Sequence, residues 1–217
     1  NANSYIDGPM KKNVTTGALS ATTLFPVGKG GYWRPMEIAY THAVGCPAYS
    51  YTTEVFNTAP TTRTLPGTID RVSTKRYWNV TRTHPSNLLT WATVKLYYGS
   101  DDGVTDPANL RIAKQNGAAW EDIGPAAGGS GSPTGDITCT ANAITAFCDI
   151  VLADKTGGGN PLPVELIDLF AILHNQVVDL SWITFSETNN DFFTVEKTID
   201  FENFVTVAMV NGAGNSN

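Results

Sequence analysis

Positive charge is scarce and scattered in this chain. Lys and Arg number 14 against 20 Asp and Glu, a net charge of −6, and no stripe or run of basic residues forms. Such a surface has little with which to neutralise a phosphate backbone, which argues against nucleic acid as a partner. No apolar run approaches the roughly 20 residues of a membrane-spanning helix, so no membrane span is expected. No segment carries apolar residues at the 3.6-residue period, so an amphipathic helix is not expected either. There is no starting Met and no charged-then-apolar leader, and Asn1 is read as the start of a processed or excised piece. Cysteine is limited to Cys46, Cys139 and Cys148, and histidine to His42, His84 and His174.

What the chain does have is turn formers and β-formers. Gly 20 and Pro 12, with heavy use of Thr, Asn and Ser, punctuate short runs rich in β-branched and aromatic residues. Strands are expected over 50–56, 75–83, 91–99 and 109–115, and the pair Asn116-Gly117 reads as the centre of a type I′ hairpin turn. GPAAGGSGSPTG (124–135) reads as a flexible loop, and TGGGNPLP as a linker between two differently patterned regions. The expected fold is all-β: an antiparallel β-sandwich domain over 1–155, a Gly/Pro linker over 156–163, and an incomplete sandwich over 164–217.

Few residue groups offer chemistry. The three histidines lie far apart, with no cysteine or carboxylate at metal-ligand spacing, and no His-x-x-x-His pair occurs. The serines of GGSGSPTG lack the Gly-x-Ser-x-Gly spacing of a nucleophile elbow. Gly28-Lys29-Gly30-Gly31 misses both the leading Gly and the trailing Ser or Thr of a phosphate loop and reads as a glycine turn. The cluster GSDDGVTDPAN places Asp101, Asp102 and Asp106 where they could converge on a hard cation, and calcium suits such oxygens, although the spacing departs from D-x-D-x-D-G. Cys139 and Cys148 lie nine apart, a spacing that a hairpin brings to disulfide distance, and a 139–148 bridge is expected. Trp78 with Val80, and Ala92 with Val94 and Leu96, are assigned to the space between sheets. Trp91 and Tyr97 fall on the opposite face and are the candidates for a surface contact.

After the linker the pattern sharpens. Four strands are expected at 164–172, 176–185, 191–198 and 203–210, with Ile167, Leu169 and Ala171 on one face, Val178, Leu180 and Trp182 on another, and Trp182 buried. LPVEL (162–166), DLSW, SETNNDFFTVEKT (186–198), DFENF (200–204) and GAGNSN (212–217) resemble the fibronectin type III-like module of secreted and surface proteins of Bacteroidota. SYIDGPMKK, FPVGKGGYWRPMEI, RYWNV and ANLRIAKQNGAAWEDIG are similar to the segment that often precedes that module; the three cysteines are not part of the pattern.

The resemblance implies an exported cargo of the type IX secretion system, located outside the cell or on its surface. It implies a non-catalytic structural or adhesive segment with no cofactor, whose partners are the upstream region of the same protein, a surface anchor or neighbouring subunits. The alternative is an accessory carbohydrate- or protein-binding domain of a secreted hydrolase. Because a full sandwich of this type needs about seven strands, the four counted here lead to one of two expectations. Either the sequence is a fragment, or its open edge is completed by strands from another chain, giving homo-assembly by strand complementation.

Overall fold

In MEIAYTH every second side chain is buried: Met36, Ile38, Tyr40 and His42 point inward, and Glu37, Ala39 and Thr41 are only partly covered. That period of two is what a strand with one solvated face imposes, and it recurs through most of the chain. The computed structural model describes residues 4–14, 19–45, 48–83, 88–160, 166–175, 177–184, 187–200 and 202–216. Within these the fold is all-β, and the chain divides into two units, Asn1–Pro163 and Val164–Asn217.

Unit 1 contains β1 (Ile6–Asp7), β2 (Met10–Val14), β3 (Ser20–Phe25), β4 (Val27–Lys29), β5 (Tyr32–Trp33), β6 (Met36–His42), β7 (Tyr49–Phe56), β8 (Ile69–Val72), β9 (Tyr77–Arg82) and β10 (Leu89–Tyr98). It continues with β11 (Leu110–Asn116), β12 (Ala119–Asp122), β13 (Gly135–Thr138) and β14 (Asp149–Lys155). A four-stranded antiparallel sheet has the order β13-β10-β6-β3, and a larger one the order β12-β11-β14-β9-β7-β2, with β8 also paired to β14. Their inner faces share one core. Phe25, Ile38, Val94 and Leu96 come from the first sheet and Tyr51, Val55, Trp78, Ile112 and Leu152 from the second, which makes unit 1 a β-sandwich. Trp78, Val80, Ala92, Val94 and Leu96 lie in that core as the alternation requires.

β11 and β14 depart from simple alternation. Both are buried along nearly their whole length, because a second cluster of Ile69, Ala113, Trp120, Val151 and Ala153, with Leu65 and Tyr77 packed on it, covers their outer face.

Three local readings are revised. The hairpin after β11 pairs Asn116 with Ala119, so its central residues are Gly117 and Ala118. Only Gly117 has positive φ, 60°, which fits a II′ turn with Gly first rather than a I′ turn centred on Asn116-Gly117. The glycine-rich 124–135 segment is held by specific bonds rather than free. Tyr98 Oη donates to the Gly131 carbonyl at 2.6 Å, and Ser132 Oγ to the Val104 carbonyl at 2.9 Å. The Gly129 amide donates to the Pro107 carbonyl at 2.6 Å, and a side chain at Gly128 would collide with the Pro107 and Ala108 carbonyls. The first half of the expected linker also belongs to unit 1, since Asn160 is fully buried there.

Unit 2 consists of two antiparallel hairpins, β15 (Leu166–His174) with β16 (Val177–Thr184), and β17 (Glu187–Lys197) with β18 (Val205–Ser216). These are the four strands the pattern calls for. Cross-strand pairs Leu169–Trp182, Ala171–Leu180 and Leu173–Val178 place six apolar residues on one face of the first hairpin. Trp182 meets Phe193 edge-on at 5.3 Å between ring centroids. It is half-buried, not buried as expected, because the second hairpin shields only one end of that face. The remainder of the face is open.

Candidate functional site

The aspartate cluster folds into a ring of charge. Asp101 and Asp102 lie on a 3-10 turn, Ser100–Asp102, directly after β10. Arg34 follows β5 and Arg76 precedes β9, so the sandwich brings residues far apart in sequence together at one end. Asp102, which is fully buried, accepts from Arg34 Nε at 2.7 Å, from the Gly99 amide at 2.7 Å and from Arg76 Nε. Asp101 accepts from the Nη2 atoms of both arginines. Arg76 Nη1 donates to Asn57 Oδ1 at 3.0 Å, and Arg34 Nη1 to the Trp33 carbonyl at 2.7 Å. The Tyr32 ring lies 5.5 Å from the Arg34 guanidinium and 5.2 Å from that of Arg76. Two carboxylates and two guanidiniums neutralise one another, so the cation that satisfies these aspartates is arginine and the calcium expectation is corrected. A side chain at Gly99 would occupy the space of the Arg34 guanidinium.

Asp106 belongs to a different network. Its carboxylate accepts from Asn109 Nδ2 at 2.7 Å, a bond that holds its carboxyl below the usual carboxylate range. Its backbone is clamped by Asn160, whose Oδ1 accepts from the Thr105 and Asp106 amides at 3.1 and 2.9 Å and whose Nδ2 donates to the Asp106 carbonyl at 2.7 Å. Asn160 Nδ2 also donates to Asp154 Oδ1 at 2.6 Å, its amide to Asp154 Oδ2 at 3.2 Å, and its carbonyl accepts from Arg71 Nη1 at 2.8 Å. Burial pushes the Asp154 carboxyl up despite those donors. Among the described residues no group of three or more His, Cys, Asp or Glu side chains could hold a metal ion.

The cysteines are also reassigned. Cys139 and Cys148 are both free thiols. The eight-residue stretch between them is not a hairpin: it crosses from the four-stranded sheet to the larger one, bridging to Ala92 through Ile144 on the way. Cys139 Sγ accepts from the Val94 amide at 3.2 Å, whereas Cys148 Sγ donates to the Gln115 carbonyl on β11 at 2.8 Å. Burial pushes both thiols up, so neither is an activated nucleophile. Cys46 and His84 lie outside the described residues.

His42 is in the core. Its Nδ1 is 2.6 Å from Tyr49 Oη and its Nε2 2.9 Å from Tyr51 Oη, with Tyr40 packed on the ring at 4.9 Å. Desolvation, with a contribution from the Arg82 charge, lowers its pKa to about 4. His174 is exposed on unit 2, 4.0 Å from Asp179. The two described histidines therefore share no site.

Two features remain open to partners. Trp91 and Tyr97 lie on the outer face of β10, both half-buried, with Tyr97 flanked by Trp33 at 6.0 Å and by Lys95 Nζ at 5.1 Å. The larger feature is unit 2. Of the twenty exposed large apolar residues among those described, fifteen belong to it, Leu173 at 70 % and Met209 at 63 % among them. No sequence signal beyond the strand count marks this face as uncovered, because a covered wall has the same alternation. No helix among the described residues is long and apolar enough to cross a membrane. No family model, curated protein or solved structure matches the chain.

Proposed function

We propose that this chain is a non-catalytic structural or adhesive segment of an exported protein, displayed on the cell surface or released from it. The observation that carries the reading is the contrast between the two units. In unit 1 the buried polar groups described above are committed to one another: Asp101 and Asp102 to Arg34 and Arg76, His42 to two tyrosines, Asp154 to Asn160. In unit 2 the largest exposed feature is an apolar wall with free strand edges, which suits assembly rather than turnover of a small molecule. The resemblance of unit 2 to a fibronectin type III-like module of Bacteroidota type IX cargo supports the exported location. Treating intact source cells with a protease and probing with an antibody raised against unit 1 tests this. Degradation on intact cells, or recovery in the culture medium, is expected; protection until the cells are lysed overturns it.

A second reading, an accessory carbohydrate-binding domain of a secreted hydrolase, draws support from Trp91 and Tyr97 on the outer face of β10, since half-exposed aromatics on a flat sheet can stack on sugar rings. Retardation in polysaccharide-containing gels that is lost in Trp91→Ala would favour it over the first.

A further inference from the structure

We propose that Arg111 is the base of a small-carboxylate site on the outer face of the larger sheet of unit 1. The residue is 7 % exposed and has apolar neighbours: it pairs with Ala153 of β14, which in turn pairs with Val72 of β8, and Ala113 follows it on the same face. Arg34, Arg63, Arg71 and Arg76 each lie within 3.9 Å of an aspartate oxygen, whereas Arg111 forms no ion pair among the described residues. Its one hydrogen bond runs from Nη1 to the carbonyl of Leu110, its neighbour in the chain, at 3.1 Å. A guanidinium buried in this way is costly to the fold unless an anion compensates it.

The unused edge of the side chain specifies the ligand. Nε and Nη2 of a guanidinium form a fork that matches the two oxygens of a carboxylate. Unit 1 shows what this fork takes, since Arg34 and Arg76 both direct Nε and Nη2 to the carboxylates of Asp102 and Asp101. In Arg111 the same two nitrogens have no partner among the described residues. They are not sealed either: the buried nitrogens without a partner are Trp33 Nε1 and Arg71 Nε, so the fork of Arg111 reaches the surface through the small part of the residue that is exposed.

Size and charge narrow the choice further. The register places Asp122 on this face too, opposite Ala113, but its Oδ1 is taken by the Gly124 amide at 2.8 Å. It forms no ion pair with Arg111 and adds a negative charge on the same face, which favours a singly charged anion over a multiply charged one. With so little of Arg111 exposed, the opening admits a carboxylate head and not a folded surface. The carboxylate therefore comes from a free small acid or from one acidic side chain of an extended partner segment.

Thermal melts of the full chain in acetate against chloride, at equal ionic strength and pH 7, test the proposal. The Tm of unit 1 should rise saturably with acetate, by about 3–6 °C at ten times the Kd. Arg111→Met should abolish the rise, and the same variant accounts for any general salt effect. In chloride alone Arg111→Met should melt above the wild type, because it removes an uncompensated charge from an apolar setting. A capped Gly-Glu-Gly peptide in a third arm separates the sources: a rise with the peptide assigns the acidic segment of a partner, and a rise with acetate alone assigns a free acid. No rise with either probe overturns the proposal, as does a rise that Arg111→Met retains. So does a variant that melts below the wild type in chloride, which would mean that Asp122 already serves as the counter-charge. None of these outcomes bears on whether the chain is displayed outside the cell, which the protease experiment reads independently.

Discussion

Lowering the pH from 7 to 5 should destabilise unit 1 through a single buried ring. His42 has a pKa of about 4 in the folded state, held down mainly by desolvation between Tyr40, Tyr49 and Tyr51 and further by Arg82; unfolded, it returns to about 6.5. Above that value the ring is neutral in both states and contributes no pH dependence. Between the two values the unfolded chain takes up a proton that the folded chain refuses, so stability falls as the pH falls. The loss is about 2 kcal/mol at pH 5 and saturates near 3 kcal/mol below pH 4, which for a domain of this size lowers the Tm by about 4–8 °C at pH 5.

The tyrosine hydroxyls do not relieve this. Each can rotate to accept from a doubly protonated ring, but neither replaces the water that a cation loses on burial. Asp154 works in the opposite direction: burial raises its folded pKa, so it favours the folded state as the pH falls. The informative quantity is therefore the difference between the wild type and His42→Gln, which retains Asp154 and a hydrogen-bonding side chain but does not titrate. Calorimetric melts of both proteins from pH 7.5 to 5 should diverge, with the wild type losing more. Proton NMR should show one histidine ring titrating near 4. Parallel Tm profiles, or a His42 ring that titrates above about 6, would refute the argument.

Three further outcomes follow from other parts of unit 1. Asp102→Asn leaves Arg34 and Arg76 sharing one carboxylate in a buried setting, and should cost about 3–5 kcal/mol in urea unfolding; a cost under about 1 would mean the ring contributes little. Gly117→Ala meets no atom within 4 Å of the added carbon, so its cost is the backbone strain alone, about 1–3 kcal/mol at a position where a II′ turn favours glycine, measured by the same unfolding curves. A larger loss would point to contacts absent from this turn. Finally, denaturing the protein without reductant should expose both Cys139 and Cys148 to alkylation, read by peptide mass mapping; a linked 139–148 peptide would contradict the sheet-to-sheet crossing between them.

The parts of this fold legible in the sequence are those governed by nearest neighbours. The alternation of Met36–His42 and Leu89–Tyr98 assigns each side chain to a face without reference to the rest of the chain, and the glycine turn at Gly30-Gly31 follows from its two positive φ angles. Long-range partners were not legible. Asp101 and Asp102 carry no mark that distinguishes a cation site from a pair of arginines 25 and 67 residues away, since both satisfy the same carboxylates. Cys139 and Cys148 misled because closeness in sequence suggested a hairpin where the chain changes sheets. β11 and β14 hid their burial because Arg111, Lys114 and Asp154 interrupt the apolar run; the register puts Lys114 and Asp154 on the inner face with Ile112 and Leu152, and Arg111 on the outer face that the second cluster covers. Counting strands predicts an incomplete sheet in unit 2 but not which face is open: Trp182 is expected buried on the face it shares with Val178 and Leu180, and both of these are exposed.

Asn160 has a mechanical consequence. It is the last described residue before the boundary, and one side chain with its own peptide group grips β8 through Arg71, β14 through Asp154 and the 105–106 loop. Tension arriving along the chain from beyond this residue therefore reaches several short polar bonds at once before it can peel β14, the strand that the rest of the large sheet is built around. Bonds loaded in parallel share the force, and strands peeled from one end do not. In a protein strung between a surface and whatever it holds, that residue would act as a cleat: the line may jerk, but the sandwich behind it keeps its knots.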